Sequence, residues 1–202
     1  MLYENEIVGR DAPRSEEPSA EILSEKKQGA AKGILLFVRD IVIAFVVLIL
    51  VLQFVRPTLI FETSMENTLH PQDYVFLAKQ AYAFGEVERG DIVVFKSMLV
   101  DEHGVSKNLI KRVIGLPGDT IEIKDGAVYR NGERLAEPYT KDGVTLSMMA
   151  PITIPGASYF VMGDNREVSL DSRSSMVGCI AEDAIVGKVF FRLFPLSSAG
   201  KL

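Results

Sequence analysis

Two adjacent cations interrupt an apolar stretch in the middle of the chain. Residues 108–119 read NLIKRVIGLPGD, with Lys111 and Arg112 at its centre. In a β-strand, Lys111 shares one face with Leu109 and Val113, while Arg112 lies on the other face. Burying an unpaired charge is costly, so either each cation finds a carboxylate or the lysine is kept neutral, whereas Arg112 cannot lose its proton and should pair with an acid. Burial lowers the pKa of a lysine from about 10.4 toward neutrality, which makes Lys111 a candidate general base. The same pattern would arise if the aliphatic parts of the Lys111 and Arg112 side chains covered a sheet edge.

Ser64 is a candidate nucleophile. It lies in FETSMENTL, residues 61–69, where an apolar run gives way to polar turn formers. A hydroxyl presented at such a break can be activated by a neighbouring base for acyl transfer. Most serines at strand ends are turn or capping residues, so this segment alone leaves both interpretations open.

A third polar segment, GDNREVSLDSR at residues 163–173, follows the apolar run SYFVM. It is either a surface loop with its own ion pairs or a polar scaffold around a buried lysine and a buried arginine. In the second case, Asp164 or Asp171 would form the ion pairs and Ser169 would face the lysine.

The element that precedes these segments is a long apolar stretch, ILLFVRDIVIAFVVLILVLQFV, residues 34–55. A helix of this length spans roughly 33 Å, enough for a bilayer core of about 30 Å. The stretch is too long for a cleavable signal peptide, and the bulky VRPTLIF that follows contains no small-x-small cleavage site. We therefore predict an uncleaved transmembrane anchor over residues 34–56.

The flanking charges predict how the anchor is oriented. Residues 1–33 carry no apolar periodicity and are predicted to be a disordered cytoplasmic tail. Because cytoplasmic flanks are enriched in cations, the remainder, residues 57–202, is expected outside the cytosol. The cations on the tail side are Lys26, Lys27, Lys32 and Arg39, against Arg56 on the other side.

Residues 57–202 consist of short runs of Val, Ile, Phe and Tyr separated by Gly, Asp, Asn and Pro. This pattern predicts a mainly β, antiparallel domain. The hairpin turns Asp125-Gly126 and Asn131-Gly132 predict a three-stranded meander over residues 120–136. Residues 138–157 have the weakest pattern, and we expect an excursion or small subdomain there.

Composition narrows the function classes. A net charge of −5 argues against nucleic acid as a partner, since phosphate binding needs a clustered basic face. Cys179 is the single cysteine, which rules out an internal disulfide and a cysteine-based zinc site, and two histidines leave little room for a histidine-rich metal centre. We expect neither a cofactor nor a metal.

The motifs together resemble one known family. They are SMENTL (64–69), RGDIVVF (89–95), KRVIGLPGD (111–119) and GDNREVSLDSR (163–173). They are similar, in content and order, to the four sequence boxes of the bacterial type I signal peptidases. The resemblance covers roughly residues 39–202. It implies a coiled-sheet or partial-barrel β-domain behind one transmembrane helix, in the bacterial cytoplasmic membrane, with the catalytic domain on the outer face.

The resemblance also implies roles for individual residues. Ser64 would be the nucleophile, Lys111 the general base, and Ser169 would orient the lysine amine. Met65 would lie against the substrate pocket, and Gly163 would leave room beside the lysine. The supporting charged residues implied by the resemblance are Asp171 with Arg173, and Asp164 with Arg112.

The implied reaction is removal of signal peptides from exported preproteins after small residues, the A-x-A pattern. An extended substrate would pair with a strand edge, Ser64 would attack, and Lys111 would shuttle the proton. We expect the chain to act as a monomer on the bilayer.

Two positions depart from the family pattern. Asn67 stands where proline is usual, so the turn after Ser64 is less rigid, although asparagine tolerates turn geometry. Glu62 stands where many members have serine or glycine, and an ionised carboxylate there would repel a developing oxyanion. We expect Glu62 to point away from the site, with the backbone N–H of Ser64, and that of Thr63, as oxyanion donors.

Two alternatives remain at the level of sequence. A sortase-like cysteine transpeptidase would use Cys179 with His70 or His103, although MVGCIAEDA suggests a buried cysteine. A catalytically inactive, membrane-anchored β-domain that binds partners could keep the same motifs. A self-cleaving Ser/Lys repressor is excluded by the anchor and by the lack of a DNA-binding module.

Overall fold

The computed structural model describes residues 20–83 and 85–202, with side chains from residue 32 onward. The chain divides into two compact units, with the boundary between Ile49 and Leu50. The described part of the first unit is helical, and most of the regular structure in the described part of the second unit is β-strand.

A long helix, α1, spans Ala20–Phe54. Its part from Lys32 to Phe54 is long and apolar enough to cross a membrane. Within it, Arg39 donates to the neighbouring Asp40 at 2.8 Å, which pairs the two charges that interrupt the apolar sequence. Residues 20–33, which we expected to be part of a disordered tail, belong to this helix, and the segment is rich in the helix formers Ala, Glu and Lys. Residues 1–19 lie outside the described part of the chain.

The second unit contains twelve described strands and three short 3₁₀ helices. The 3₁₀ helices are Ala81–Ala83, Glu182–Ala184 and Leu196–Ser198. The strands are β1 Val55–Leu59, β2 Tyr74–Ala78, β3 Ile92–Val100, β4 Ser106–Gly115, β5 Thr120–Lys124, β6 Ala127–Arg130, β7 Glu133–Arg134, β8 Met149–Thr153, β9 Ser158–Met162, β10 Ile180–Ala181, β11 Ile185–Phe194 and β12 Gly200–Lys201.

These strands form two antiparallel sheets. The larger has the order β1-β2-β11-β3-β4-β9-β10, with β12 paired to β11, and the smaller has the order β7-β6-β5-β8. Over the described residues neither sheet closes into a barrel. The predicted mainly β, antiparallel fold behind an N-terminal apolar helix is confirmed.

The meander over residues 120–136 is present as predicted. Lys124 pairs with Ala127 and Arg130 with Glu133, so each connection is a two-residue turn. The φ angles at Asp125 and Gly126 are 51° and 73°. Two consecutive positive φ values define the type I′ turn, which matches the twist of the flanking strands.

Part of the expected excursion is a strand. Within residues 138–157, β8 (Met149–Thr153) pairs with β5 and forms an edge of the smaller sheet. The sequence MAPIT did not predict a strand because Pro151 cannot donate a ladder hydrogen bond. A proline is nevertheless tolerated here, since β8 lies at a sheet edge.

Strand β4 crosses the middle of the larger sheet and is buried on both faces. Ile110 belongs to one hydrophobic cluster with Val94, while Leu109 and Val113 belong to a second with Val93. Lys111 therefore lies on a strand that is surrounded by packed apolar residues, as the sequence pattern indicates.

Candidate active site

A tight turn carries Ser64 directly after the extended segment that follows β1. The backbone N–H of Glu66 donates to the carbonyl of Thr63 at 3.1 Å, and that of Leu69 to the carbonyl of Met65 at 2.7 Å. Ser64 is buried, with 7% of its surface exposed. The turn is thereby fixed with the serine hydroxyl facing inward.

Lys111 reaches this hydroxyl from β4. Its Nζ donates to Ser64 Oγ at 2.7 Å and to the carbonyl oxygen of Ile110 at 2.9 Å. The lysine is 1% exposed. Burial lowers the pKa of its amine, and this effect is only partly offset by nearby carboxylates, which favour the charged form. The sequence thus brings together, from positions 47 residues apart, a hydroxyl and an amine poised to accept its proton.

Ser169 forms no hydrogen bond to the amine, although the resemblance implied that it orients this group. Its Oγ is buried without a hydrogen-bond partner among the described residues, and Lys111 donates to Ile110 instead. Gly163 lies against it, because a Cβ at position 163 would overlap Ser169 Oγ and the carbonyl oxygen of Ser64. Gly163 therefore allows close packing of the loop on the nucleophile turn.

Asp171 and Arg173 form an ion pair behind the dyad. Arg173 Nε donates to Asp171 Oδ1 at 2.8 Å, and its Nη2 donates to Oδ2 at 2.9 Å. The carboxylate also accepts from the backbone N–H of Gly163 at 2.9 Å. This pair holds the ends of the 163–173 loop together.

Arg112 and Asp164 form a second buried pair on the opposite face of β4. Nε donates to Oδ1 at 2.9 Å and Nη2 to Oδ2 at 2.7 Å. The remaining donors reach the carbonyl of Gly90 at 2.9 Å and the hydroxyl of Thr68 at 3.1 Å. The guanidinium also stacks 4.3 Å over the ring of Tyr139, so every part of this cation is satisfied.

Sequence reasoning missed a third buried pair, Arg166 with Glu137. Arg166 donates to both carboxylate oxygens, at 2.7 and 2.9 Å, and to the carbonyl of Gly163 at 3.1 Å. Its side chain is 2% exposed. The polar character of the 163–173 segment was the available signal, but its partner lies 29 residues away in a segment without pattern.

Asn165 was also missed. Its backbone N–H donates to the carbonyl of Ser64 at 3.0 Å, and its side-chain amide donates to Glu66 at 3.1 Å. These bonds tie the 163–173 loop directly to the nucleophile turn.

Glu62 does not point away from the site as we expected. Its Oε2 lies 3.9 Å from Lys111 Nζ, although the side chain remains 48% exposed. The carboxylate is attracted to the buried cation beside it. Met65 also differs from expectation: it is fully buried in the cluster with Ile60 and Leu69, and therefore supports the turn from the core.

A groove of about 390 Å³ with mixed polar and apolar walls opens onto Ser64 and Lys111. Phe61, Leu99, Leu109, Val168 and Leu170 form its apolar wall, and Glu62, Thr63 and Lys107 complete the lining. A neighbouring cavity of about 420 Å³ shares Phe61, Glu62 and Leu109 with it. The groove therefore reaches the residue that carries the hydroxyl.

The residues of the cysteine alternative lie apart from this arrangement. Cys179 packs against the apolar cluster around Ile114, and burial raises the pKa of its thiol, which is opposite to nucleophile activation. Over the described residues, Cys179 forms no hydrogen bond with His70 or His103, and no cluster of metal-ligating side chains occurs.

A serine hydroxyl that accepts a hydrogen bond from a buried lysine amine beside a groove is the arrangement of a serine hydrolase that needs no histidine. The family model described as signal peptidase, peptidase S26, matches residues 34–194. The chain is 37% identical to signal peptidase I of Bacillus licheniformis, covering 88% of this chain and 97% of the relative. It is 41% identical to signal peptidase I T of Bacillus subtilis, covering 79% and 84%.

Signal peptidase IB of Staphylococcus aureus is 39% identical, with 82% of this chain and 92% of the relative covered. A crystal structure of a signal peptidase I from Enterococcus faecalis aligns over 52% of this chain and 97% of that one, at 30% identity and a TM-score of 0.42. The chain belongs to the signal peptidase S26 family and is a serine endopeptidase, so the sortase-like alternative is wrong.

Proposed function

We propose that this chain is a membrane-anchored endopeptidase that removes signal peptides from exported preproteins, with Ser64 as nucleophile and Lys111 as general base. The observation that carries the proposal is the 2.7 Å hydrogen bond between Lys111 Nζ and Ser64 Oγ, made by an amine whose pKa is lowered by burial. The names of the matched relatives support the substrate class.

In the proposed reaction, Ser64 Oγ attacks the scissile carbonyl while Lys111 accepts its proton. The lysine then returns the proton to the leaving amine, and water hydrolyses the acyl-enzyme. The developing oxyanion would be stabilised by the backbone N–H of Ser64. Neither a cofactor nor a metal is called for, and a single copy of the chain supplies both groups.

The supporting residues would position these two. The ion pairs of Asp171 with Arg173 and of Asp164 with Arg112 brace the strand and the loop on either side of Lys111. Gly163 allows the close approach of the loop to Ser64. Ser169 Oγ is buried and unpartnered among the described residues. It would accept a hydrogen bond from the Lys111 amine when Ser64 is acylated.

The groove supports a preference for small side chains. Part of its wall is apolar, and its volume, about 390 Å³, must hold an extended backbone as well as the side chains next to the cut. We propose that a preprotein lies extended along the segment before Ser64 and pairs with a strand edge, placing the small residues of an A-x-A sequence against these walls.

Membrane anchoring would place enzyme and substrate in one plane. The apolar part of α1, Lys32–Phe54, supports a single span, for which we keep residues 34–56 as the anchor. The cations on its N-terminal side favour a cytosolic tail, with residues 57–202 on the outer face of the bacterial cytoplasmic membrane. Confining both partners to one bilayer raises their effective concentration.

The proposal is tested by incubating the detergent-solubilised full chain and its Ser64→Ala variant with a signal-peptide-bearing preprotein. The N-terminus of the product identifies the cut. Cleavage after a small residue by the parent chain, lost in Ser64→Ala and kept in the surface variant Ser106→Ala, is expected. Alkylation of Cys179 is expected to leave cleavage intact.

Cleavage that persists in Ser64→Ala would overturn the assignment of the nucleophile. Absence of cleavage by the parent chain would favour the inactive, partner-binding β-domain over the peptidase.

A further inference from the structure

The reaction proposed above leaves one charged group beside the dyad without a role. Glu62 lines the groove two residues before Ser64, and its Oε2 is 3.9 Å from Lys111 Nζ. Almost half of its side chain is exposed, whereas Lys111 is 1% exposed. One carboxylate thus faces both the groove and the buried amine.

The two other carboxylates that act on Lys111 are already balanced. Asp164 and Asp171, from the 163–173 loop, both favour the charged form of the amine, but each is paired with an arginine. Lys107, on the same strand, lines the groove, and β3 contributes the uncharged Val93 opposite Lys111. Among the described residues, Glu62 forms its ion pair with Lys111 alone.

This arrangement gives the amine two opposing influences. Burial favours the neutral form that can accept a proton from Ser64, while the unbalanced Glu62 charge favours the protonated form that cannot. Because Glu62 is half exposed, its effect passes partly through water and is screened by salt.

We propose that Glu62 is a positioning residue that acts through Lys111, holding the amine in its charged form in the free enzyme and setting the pH above which the dyad is active. The inference rests on the proposed function. An extended preprotein in the groove would cover both Glu62 and Lys111. The proposed effect of Glu62 on the amine therefore applies to the enzyme before substrate binds.

The sign of the effect follows from the charges. The base is active when deprotonated, so cleavage rises with pH through the pKa of Lys111. Removing the Glu62 charge lowers that pKa and moves the acidic limb of the pH profile of kcat/KM to lower pH. An opposite charge at this distance favours the charged form of the amine, and because Glu62 is half exposed its effect is weaker than that of a buried carboxylate.

The test compares the pH profile of the full chain with that of Glu62→Gln, using one preprotein at low and high salt. On the acidic limb, Glu62→Gln is expected to cleave about 3–10-fold faster than the parent chain at the same pH. Glu62→Asp, which keeps the charge, is expected to lie between them. The exposed Glu133→Gln on β7 is the matched loss of charge and is expected to leave the profile unchanged. At 1 M salt the difference is expected to shrink.

A second readout does not depend on cleavage. The titration of the Lys111 amine, followed by NMR in lysine-labelled protein and assigned by its loss in Lys111→Met, is expected to move to lower pH in Glu62→Gln. An acidic limb and an amine titration that both stay in place in folded Glu62→Gln would overturn the inference. If the parent chain does not cleave while the amine titration moves, the proposed function fails and the Glu62–Lys111 pair stands.

Discussion

Lys111 and Arg112 are consecutive cations on one strand, yet their surroundings are opposite. The guanidinium of Arg112 is saturated by Asp164, Thr68 and Gly90, and it stacks on Tyr139. The amine of Lys111 donates to a neutral hydroxyl and a carbonyl, and its nearest carboxylate is 3.9 Å away. One face of β4 therefore stabilises a charge and the other disfavours it.

This contrast separates the two tasks of the site. A fully paired arginine cannot change its protonation, so it serves to fix the strand and the 163–173 loop. An amine with few compensating partners loses its proton more easily, which is the property that proton transfer requires. The same low-dielectric interior produces both outcomes, and the placement of carboxylates decides which one applies.

The largest expected effect comes from Lys111→Met. Removal of the proposed base is expected to lower kcat/KM for preprotein cleavage by about 10²–10⁴-fold or more. The free energy of unfolding is expected to stay the same or rise, because the apolar side chain replaces an incompletely paired amine. Cleavage kinetics and urea unfolding of the same preparation measure both. Strong destabilisation together with retained cleavage would show that Lys111 has a structural role.

Arg112→Met is expected to lower the free energy of unfolding, whereas Lys111→Met is not. The substitution leaves the 1% exposed Asp164 without its partner, which costs about 3–5 kcal/mol of unfolding free energy. The double variant Arg112→Met/Asp164→Asn is the control, and it is expected to recover part of the loss because no unpaired charge remains. If Arg112→Met unfolds at the same urea concentration as the parent chain, the contrast between the two faces of β4 is wrong.

Local rules were sufficient for much of the fold. The apolar stretch before Val55 and the alternating strands follow from the spacing of their apolar residues. The two Asx-Gly turns follow from positive φ values, which few residues accept. Two cations within an apolar run, Lys111 and Arg112, indicate the position of the candidate site from the sequence alone. These features depend on neighbours in sequence.

The features that sequence did not reveal depend on distant partners. β8 is stabilised by pairing with β5, across a segment without periodicity. Arg166 finds Glu137 through the packing of two loops, and Glu62 turns toward Lys111 because the buried amine is there. Strand edges, loop packing and the orientation of one exposed carboxylate are settled by tertiary contacts.

The smallest expected effect concerns Asn67, which links the two faces of the site. Its φ is +90°, and its side chain donates to the carbonyl of Tyr139, the residue beneath Arg112. Proline, the residue usual at this position in the family, has φ near −65° and cannot adopt this conformation. Asn67→Pro is therefore expected to cost about 1–3 kcal/mol and to slow cleavage by displacing the turn that carries Ser64.

Asn67→Gly is the matched control, because glycine accepts a positive φ and loses only the bond to Tyr139, worth about 1 kcal/mol. Urea unfolding and kcat/KM are measured for both variants. Equal stability and activity of Asn67→Pro and the parent chain would mean that this turn can adopt a second geometry without disturbing Ser64. A loss in Asn67→Gly as large as the loss in Asn67→Pro, which lacks the same side-chain donor, would instead assign the effect to the hydrogen bond to Tyr139, and the backbone conformation at position 67 would matter less than we expect.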